Sequence, residues 1–172
     1  DSQAYNTHGY THNVTVADCN FDGDGSESFR AARCPSKGSA KNIILINVTE
    51  KNLFGLAEFR GTIDITIQNC TATENMLYGV QISGGYGTHQ IENNEFVATA
   101  TGAYGIVVQD ACSADITYKN NTITADRALV FKATSSAQDN YVESGIYNGT
   151  LEHTGVNKLH ISGGTFGSEP AD

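Results

Sequence analysis

The chain has 172 residues, a mass of 18.3 kDa, 18 glycines, four cysteines, no tryptophan and a formal net charge of -9. That length suits one domain, 1–172, large enough to bury a core, and no run of 18 apolar residues offers a helical membrane span. Ten Lys and Arg scattered among 19 Asp and Glu speak against nucleic acid as a partner, because phosphate is attracted only where basic residues cluster.

Asp1 opens the chain without a charged and apolar leader, which reads as a mature or trimmed product. The run YNTHGYTH at 5–12 places His8 and His12 ahead of the first strand-like segment. Either is a candidate base near neutral pH, with a hydrogen-bonded loop role as the plainer alternative. The first segment, VTVADCNF at 14–21, has apolar residues two apart, then a short polar residue, then an apolar residue three positions on. In the acidic loop that follows, Asp22, Asp24 and Glu27 offer oxygen ligands for calcium, although the EF-hand spacing is missing and a solvated turn is the alternative.

The first pattern returns as IILIN at 43–47, ITIQN at 65–69 and ITYKN at 116–120, with weaker copies ending at Asn93, Glu143 and Gly163. Aligning Asp18, Asn47, Asn69, Asn93, Asn120, Glu143 and Gly163 gives steps of 29, 22, 24, 27, 23 and 20 residues, within the period of solenoids. Three places beyond stand Phe21, Glu50, Ala72, Phe96, Ile123, Ile146 and Phe166, an inward stripe with one charged member. Further strand-like runs lie at 29–34, 54–59, 78–82, 104–108 and 129–131.

No apolar stripe of helical period lasts ten residues, so helical crossovers are not expected. Threonine, isoleucine and valine favour strands, and a strand-turn-strand unit of this length buries its apolar side only when copies stack, about 4.8 Å apart. The expected fold is all-β: a right-handed single-stranded parallel β-helix of about six to seven coils, roughly 30 Å tall, with an antiparallel β-sandwich as the alternative. Neither end shows an amphipathic cap helix, so missing parts of a longer parent or an assembly are expected to cover the open coils.

Asn and Asp at the register position accept left-handed backbone and turn a tight corner, and stacked amides can bond one another up the solenoid. The stack of Asn47, Asn69, Asn93 and Asn120 resembles the asparagine ladder of the pectate-lyase-like family of right-handed β-helices, which includes polysaccharide lyases, polygalacturonases, mannuronan epimerases and phage tailspikes. The resemblance spans nearly the whole chain. It implies a polysaccharide partner, an extracellular or virion-surface location, and, from the tailspikes, a homotrimer. The Tyr-Gly-x-Asp-Pro-His stretch of the epimerases is only loosely echoed at 5–12, without its Asp-Pro-His core, so that activity is not carried over.

Cys19 and Cys70 share a register position two rungs apart, too far for a disulfide, and all four cysteines read as small buried hydrophobes rather than zinc ligands. Acceptor tripeptides for N-glycosylation begin at Asn13, Asn47, Asn69, Asn120 and Asn148, but the repeat itself places Asn before Thr, and inward ladder asparagines would leave no room for a glycan.

Outward residues of successive rungs stand about 5 Å apart, a surface suited to a long sugar chain. With Val80, Ile82, Ile106, Val108, Leu129 and Phe131 inward, the outward set is Gln81, Ser83, Val107, Gln109, Val130 and Lys132, and earlier rungs add Arg30, Arg33, Glu58 and Arg60. Arg33, Glu58, Arg60 and Gln81 form one candidate patch, since arginine binds sugar carboxylates bidentately and glutamate serves as acid or base; a surface ion pair is the plainer alternative. Asp110 is the next outward carboxylate, but two rungs, near 10 Å, separate it from Glu58, a poor spacing for glycoside hydrolysis. Lyase or epimerase chemistry instead needs a cation on the substrate carboxylate, for which Arg60 or Lys132 would serve, and a nearby base, for which a tyrosine or histidine would serve; Glu58, Arg60 and His12 are the candidate catalytic residues. Candidate ligand contacts are Arg33, Gln81, Tyr78, Tyr104, Asp110 and Lys132; the tyrosines, with Tyr86, would stack on sugar rings or buttress coils. No cofactor is required, calcium aside. The expected function is binding, with processing as an extension, of an extracellular polysaccharide; the alternative is a non-catalytic oligomeric shaft, for which outward Val107 and Val130 would supply a subunit contact.

Overall fold

The computed structural model describes residues 3–6, 11–24, 29–34, 40–75, 77–135 and 139–167. Each coil contributes three short strands: β1 (Gln3–Asn6), β2 (Thr11–Ala17) and β3 (Asn20–Asp22), then β4 (Arg30–Cys34), β5 (Ala40–Ile46) and β6 (Thr49–Lys51). The same triplet recurs as β7 (Gly55–Arg60), β8 (Ile63–Gln68) and β9 (Thr71–Asn75), and as β10 (Tyr78–Ser83), β11 (Tyr86–Glu92) and β12 (Glu95–Ala98). After β13 (Tyr104–Asp110) and β14 (Ser113–Lys119), the long β15 (Asn121–Ala133) runs through a corner, and β16 (Asp139–Val142), β17 (Gly145–His153), β18 (Lys158–Ile161) and β19 (Thr165–Phe166) finish the stack.

Among the described residues every strand pairing is parallel and joins strands of successive coils. The second strands of the coils form a 7-stranded sheet, β2 to β18, one strand per coil. First and third strands merge into a 12-stranded sheet because β15 pairs β12 with its first residues and β13 with its last. This is the parallel solenoid that the register steps predict, and the antiparallel alternative is excluded.

Stacking turns each inward position into a column. Val14, Ile43, Ile65, His89, Ile116, Asn140 and Leu159 lie in register, as do Val16, Leu45, Ile67, Ile91, Tyr118, Val142 and Ile161. In the first column polar His89 and Asn140 are buried, as is Glu50 of the third stripe. The predicted third stripe holds through Ile123 and then slips: Ile123 pairs with Tyr147, which is buried, while Ile146 is 45 % exposed. Ser144, not Glu143, continues the ladder, its hydroxyl donating to Asn120 Oδ1 at 2.7 Å.

Asp18, Asn47, Asn69, Asn93 and Asn120 all adopt φ between 52° and 57°, the left-handed corner their residue types suggest. Their side chains bond from coil to coil, Asn47 Nδ2 donating to Asp18 Oδ1 at 2.9 Å and Asn120 Nδ2 to Asn93 Oδ1 at 3.2 Å, but on the outside. The buried ladder sits one residue later. Asn94 Nδ2 donates to Asn121 Oδ1 at 2.9 Å and to the Ile67 carbonyl at 3.0 Å, its Oδ1 accepts from Cys70 N–H at 2.9 Å, and Asn121 Nδ2 reaches the Ile91 carbonyl at 2.7 Å. Hence the acceptor asparagines at 47, 69 and 120 face solvent, contrary to the inward expectation. A second left-handed ladder, Asn13, Asn42 and Asp64, was not legible in the spacing; Asn42 Nδ2 donates to Asn13 Oδ1 at 2.9 Å.

Candidate functional site

The outer face of β4, β7, β10, β13, the end of β15 and β17 carries the candidate residues. Register aligns Arg33, Glu58, Gln81, Val107, Val130 and Glu152 in one row, and Arg60, Ser83, Gln109 and Lys132 in the next. Glu58 is only 1 % exposed, so its charge is stripped of water and must be answered by protein. Three guanidinium groups do so. Oε1 accepts from Arg60 Nε at 2.6 Å, and Oε2 pairs with Arg30 Nε at 2.9 Å and Arg33 Nε at 3.0 Å. One carboxylate therefore holds three cations in a fixed cluster, the local balance remaining positive.

Arg30, which the sequence offers without singling out, completes this cluster. Its Nε also donates to the Tyr78 hydroxyl at 2.5 Å, and its guanidinium lies 4.5 Å from the Phe54 ring centroid. The Tyr78 ring passes over Gly55, where a Cβ would stand 2.4 Å from two ring carbons; only glycine leaves that passage open. Burial pushes the Tyr78 hydroxyl up to about 12, against the pull of Arg30, so it stays protonated. With 1 % exposure the ring buttresses Arg30 and presents no face to a sugar, which corrects the expectation of stacking there.

Tyr104 gathers a second pair of cations further up. The cations of Arg127 and Lys132 both sit 5.3 Å from its ring centroid. Val107 and Val130 lie along the strands between the register pairs Tyr104–Arg127 and Gln109–Lys132, a span that the contact of Lys132 with the Tyr104 ring bridges. Val107 is 2 % exposed and Val130 fully buried. Both valines point out of the coil, yet they are covered, and they supply no exposed subunit contact. Arg127 in turn pairs with Glu152 at 3.3 Å. Gln81 and Gln109 donate their amides to the Ser83 hydroxyl at 3.3 and 3.1 Å, the first bond joining the two rows and the second running along one of them.

All four arginines and Lys132 thus occupy one face, half of the ten basic residues of a chain with net charge -9. The dispersion seen along the sequence is undone by coiling. His12, by contrast, stands exposed on β2 in the other sheet, in register with Lys41, and is not brought beside Glu58 and Arg60. Asp110 is exposed at φ 58°, where its coil leaves β13. Asp22 is exposed at the end of β3 in register with Lys51, Asp24 is exposed two residues on, and Glu27 lies outside the described residues. Among the described residues no group of three His, Cys, Asp or Glu is placed to hold a metal ion. The cysteines are free thiols. Burial pushes Cys34 up to about 12 and raises Cys70 and Cys112 as well.

Stacked parallel coils, a ladder of corner asparagines and a continuous outer face define a parallel β-solenoid. A family described as a right-handed beta helix region matches residues 9–166, and the chain belongs to that family. Its fold is accordingly of the class found in carbohydrate-binding and carbohydrate-processing β-helix proteins. Neither the comparison with curated proteins nor that with solved structures returned a match.

Proposed function

We propose that the arginine face binds an acidic polysaccharide outside the cell or on a virion surface. The observation that carries this reading is the buried Glu58 with Arg30, Arg33 and Arg60 around it: a fixed group of guanidinium donors with surplus positive charge on an acidic chain. Pre-ordered guanidinium forks suit the planar carboxylate of a uronate or sialate, because little side-chain entropy remains to be lost on binding. Rows of outward side chains one rung apart give an extended polymer repeated contacts.

Binding is favoured over cleavage by the state of Glu58. Both of its oxygens are engaged by cations, so it positions arginines instead of moving a proton, and the candidate base His12 stands on the other sheet. Replacing Arg33→Gln together with Arg60→Gln leaves Arg30 to hold Glu58. On an array of acidic and neutral glycans with a polynucleotide control, the double variant should lose at least about tenfold in affinity for acidic glycans. Its circular-dichroism spectrum should match that of the wild type. Unchanged glycan binding, or a wild-type preference for the polynucleotide, overturns the reading.

A further inference from the structure

Where β7, β10 and β13 end and their coils turn toward the other sheet, a cleft of about 230 Å³ opens between Tyr86 and Asp110, lined mainly by apolar atoms. Stacked small residues make it. Gly61, Gly84 and Ala111 occupy the same corner of three successive coils, and a Cβ built on Gly84 would meet nothing closer than 3.6 Å. Tyr86, 54 % exposed, forms one side, and among the described residues its ring has no aromatic or cationic partner. Asp110 forms the other, and its carboxylate makes no hydrogen bond or ion pair among the described residues. Arg60 adjoins the cleft directly, one peptide before Gly61 and in register with Ser83, which also lines it.

We propose that this cleft is a subsite for one neutral pyranose unit, so that the face as a whole reads a polymer in which neutral and acidic sugars alternate. The proposal rests on the arginine face binding acidic polysaccharide. The volume is below the roughly 300–1,000 Å³ of sites for drug-sized ligands, which suits a single ring. A free tyrosine face offers the apolar C–H side of a sugar a stacking surface, and the uncommitted Asp110 carboxylate accepts hydrogen bonds from its hydroxyls. The same carboxylate disfavours a uronate in the cleft, since two anions would then share a partly dry space. A consecutive acidic unit instead reaches Arg60, whose Cα lies about 3.8 Å from that of Gly61.

The test compares calorimetric binding of two polymers: polygalacturonate, in which every unit is acidic, and hyaluronan, in which glucuronate alternates with a neutral N-acetylhexosamine. Wild-type protein should favour hyaluronan. Tyr86→Ala should weaken hyaluronan about tenfold, in line with one ring contact, and leave polygalacturonate within twofold. Asp110→Asn should weaken hyaluronan and strengthen polygalacturonate. Both side chains are exposed, so neither change threatens the fold. Wild-type binding to polygalacturonate alone or to neither polymer overturns the cleft assignment, as does a Tyr86→Ala variant that weakens both equally or neither. The Arg33→Gln/Arg60→Gln variant separates the two ideas: it should weaken both polymers, and if it weakens neither while Tyr86→Ala weakens hyaluronan, the arginine reading fails and the cleft stands.

Discussion

On the outside of the 7-stranded sheet, Thr15, Ile44, Thr66, Gln90, Thr117, Tyr141 and His160 form one row up the solenoid. It holds no acidic or basic side chain until His160, whose Nε2 meets Asp139 at 2.9 Å. The matching row on the arginine face begins Arg33, Glu58, Gln81 and includes a carboxylate as dry as the core. Both rows are built on the same parallel backbone with the same rung spacing, so the coil does not dictate the difference. Burial of charge does: a solvated polar row needs no fixed partners, whereas a desolvated carboxylate holds only if cations are locked around it. The second row is thereby organised in advance for an anion, and the first is not.

The largest expected effect that would break this contrast is on stability. Glu58→Ala should cost about 3–5 kcal/mol in urea unfolding, because three guanidinium groups lose their shared counter-charge, while Thr117→Ala on the other sheet should stay within about 0.5 kcal/mol. A Glu58→Ala cost as small as that of Thr117→Ala would show that the arginines do not depend on it.

The 7-stranded sheet does hold a dry titratable group, but inside. His89 is fully buried, its Nδ1 accepting from Ile65 N–H at 3.2 Å, and burial lowers it to about 4 from an ordinary 6.5. A lowered histidine is neutral in the folded state, so its contribution is complete above pH 6.5 and is lost as pH falls toward 4, when the unfolded chain binds a proton that the folded chain refuses. The loss should reach about 3 kcal/mol near pH 4. Comparing unfolding from pH 7 to 4 with that of His89→Leu, whose profile should be flatter over this window, checks the assignment; parallel profiles would refute it.

Smaller effects sharpen the distinction between dry and wet asparagine. Asn121→Ala removes a buried amide bonded to Asn94 and to the Ile91 carbonyl and should cost about 2 kcal/mol. Asn120→Gly, which keeps the left-handed corner at φ 52°, should cost below about 1 kcal/mol. Equal costs would mean that the inner ladder is not special. Least of all, a maleimide reagent should label native protein at Cys19 and spare Cys34, Cys70 and Cys112, whose thiols burial keeps protonated.

The solenoid was readable because an apolar pair, a corner Asn and a further apolar residue recur at nearly constant intervals, and each element of that pattern has a local cause. The buried ladder at Asn94 and Asn121 was missed because earlier coils carry Cys19, Val48 and Cys70 at that position, which leaves two amides too few to make a pattern. The slip at Ile146 and Tyr147 arose where Glu143 imitates a register residue and Ser144 takes its place. In the site, alternation put Arg33, Glu58, Arg60 and Gln81 on one face correctly. It also marked Val107 and Val130 as exposed, since period two tells which side of a strand a residue leaves but not whether other side chains cover it.

Sequence alone therefore determined the repeat, the all-β class and the sidedness of most strand residues, because these follow from interactions a few residues apart repeated down the chain. Tertiary structure alone decided that Glu58 is dry, that Arg30 joins it, that Arg127 shares the face of the other arginines and that a cleft opens beside Tyr86. Those features depend on which coils lie in contact and what covers them, and residues separated by 25 or more positions become neighbours only once the coils have closed.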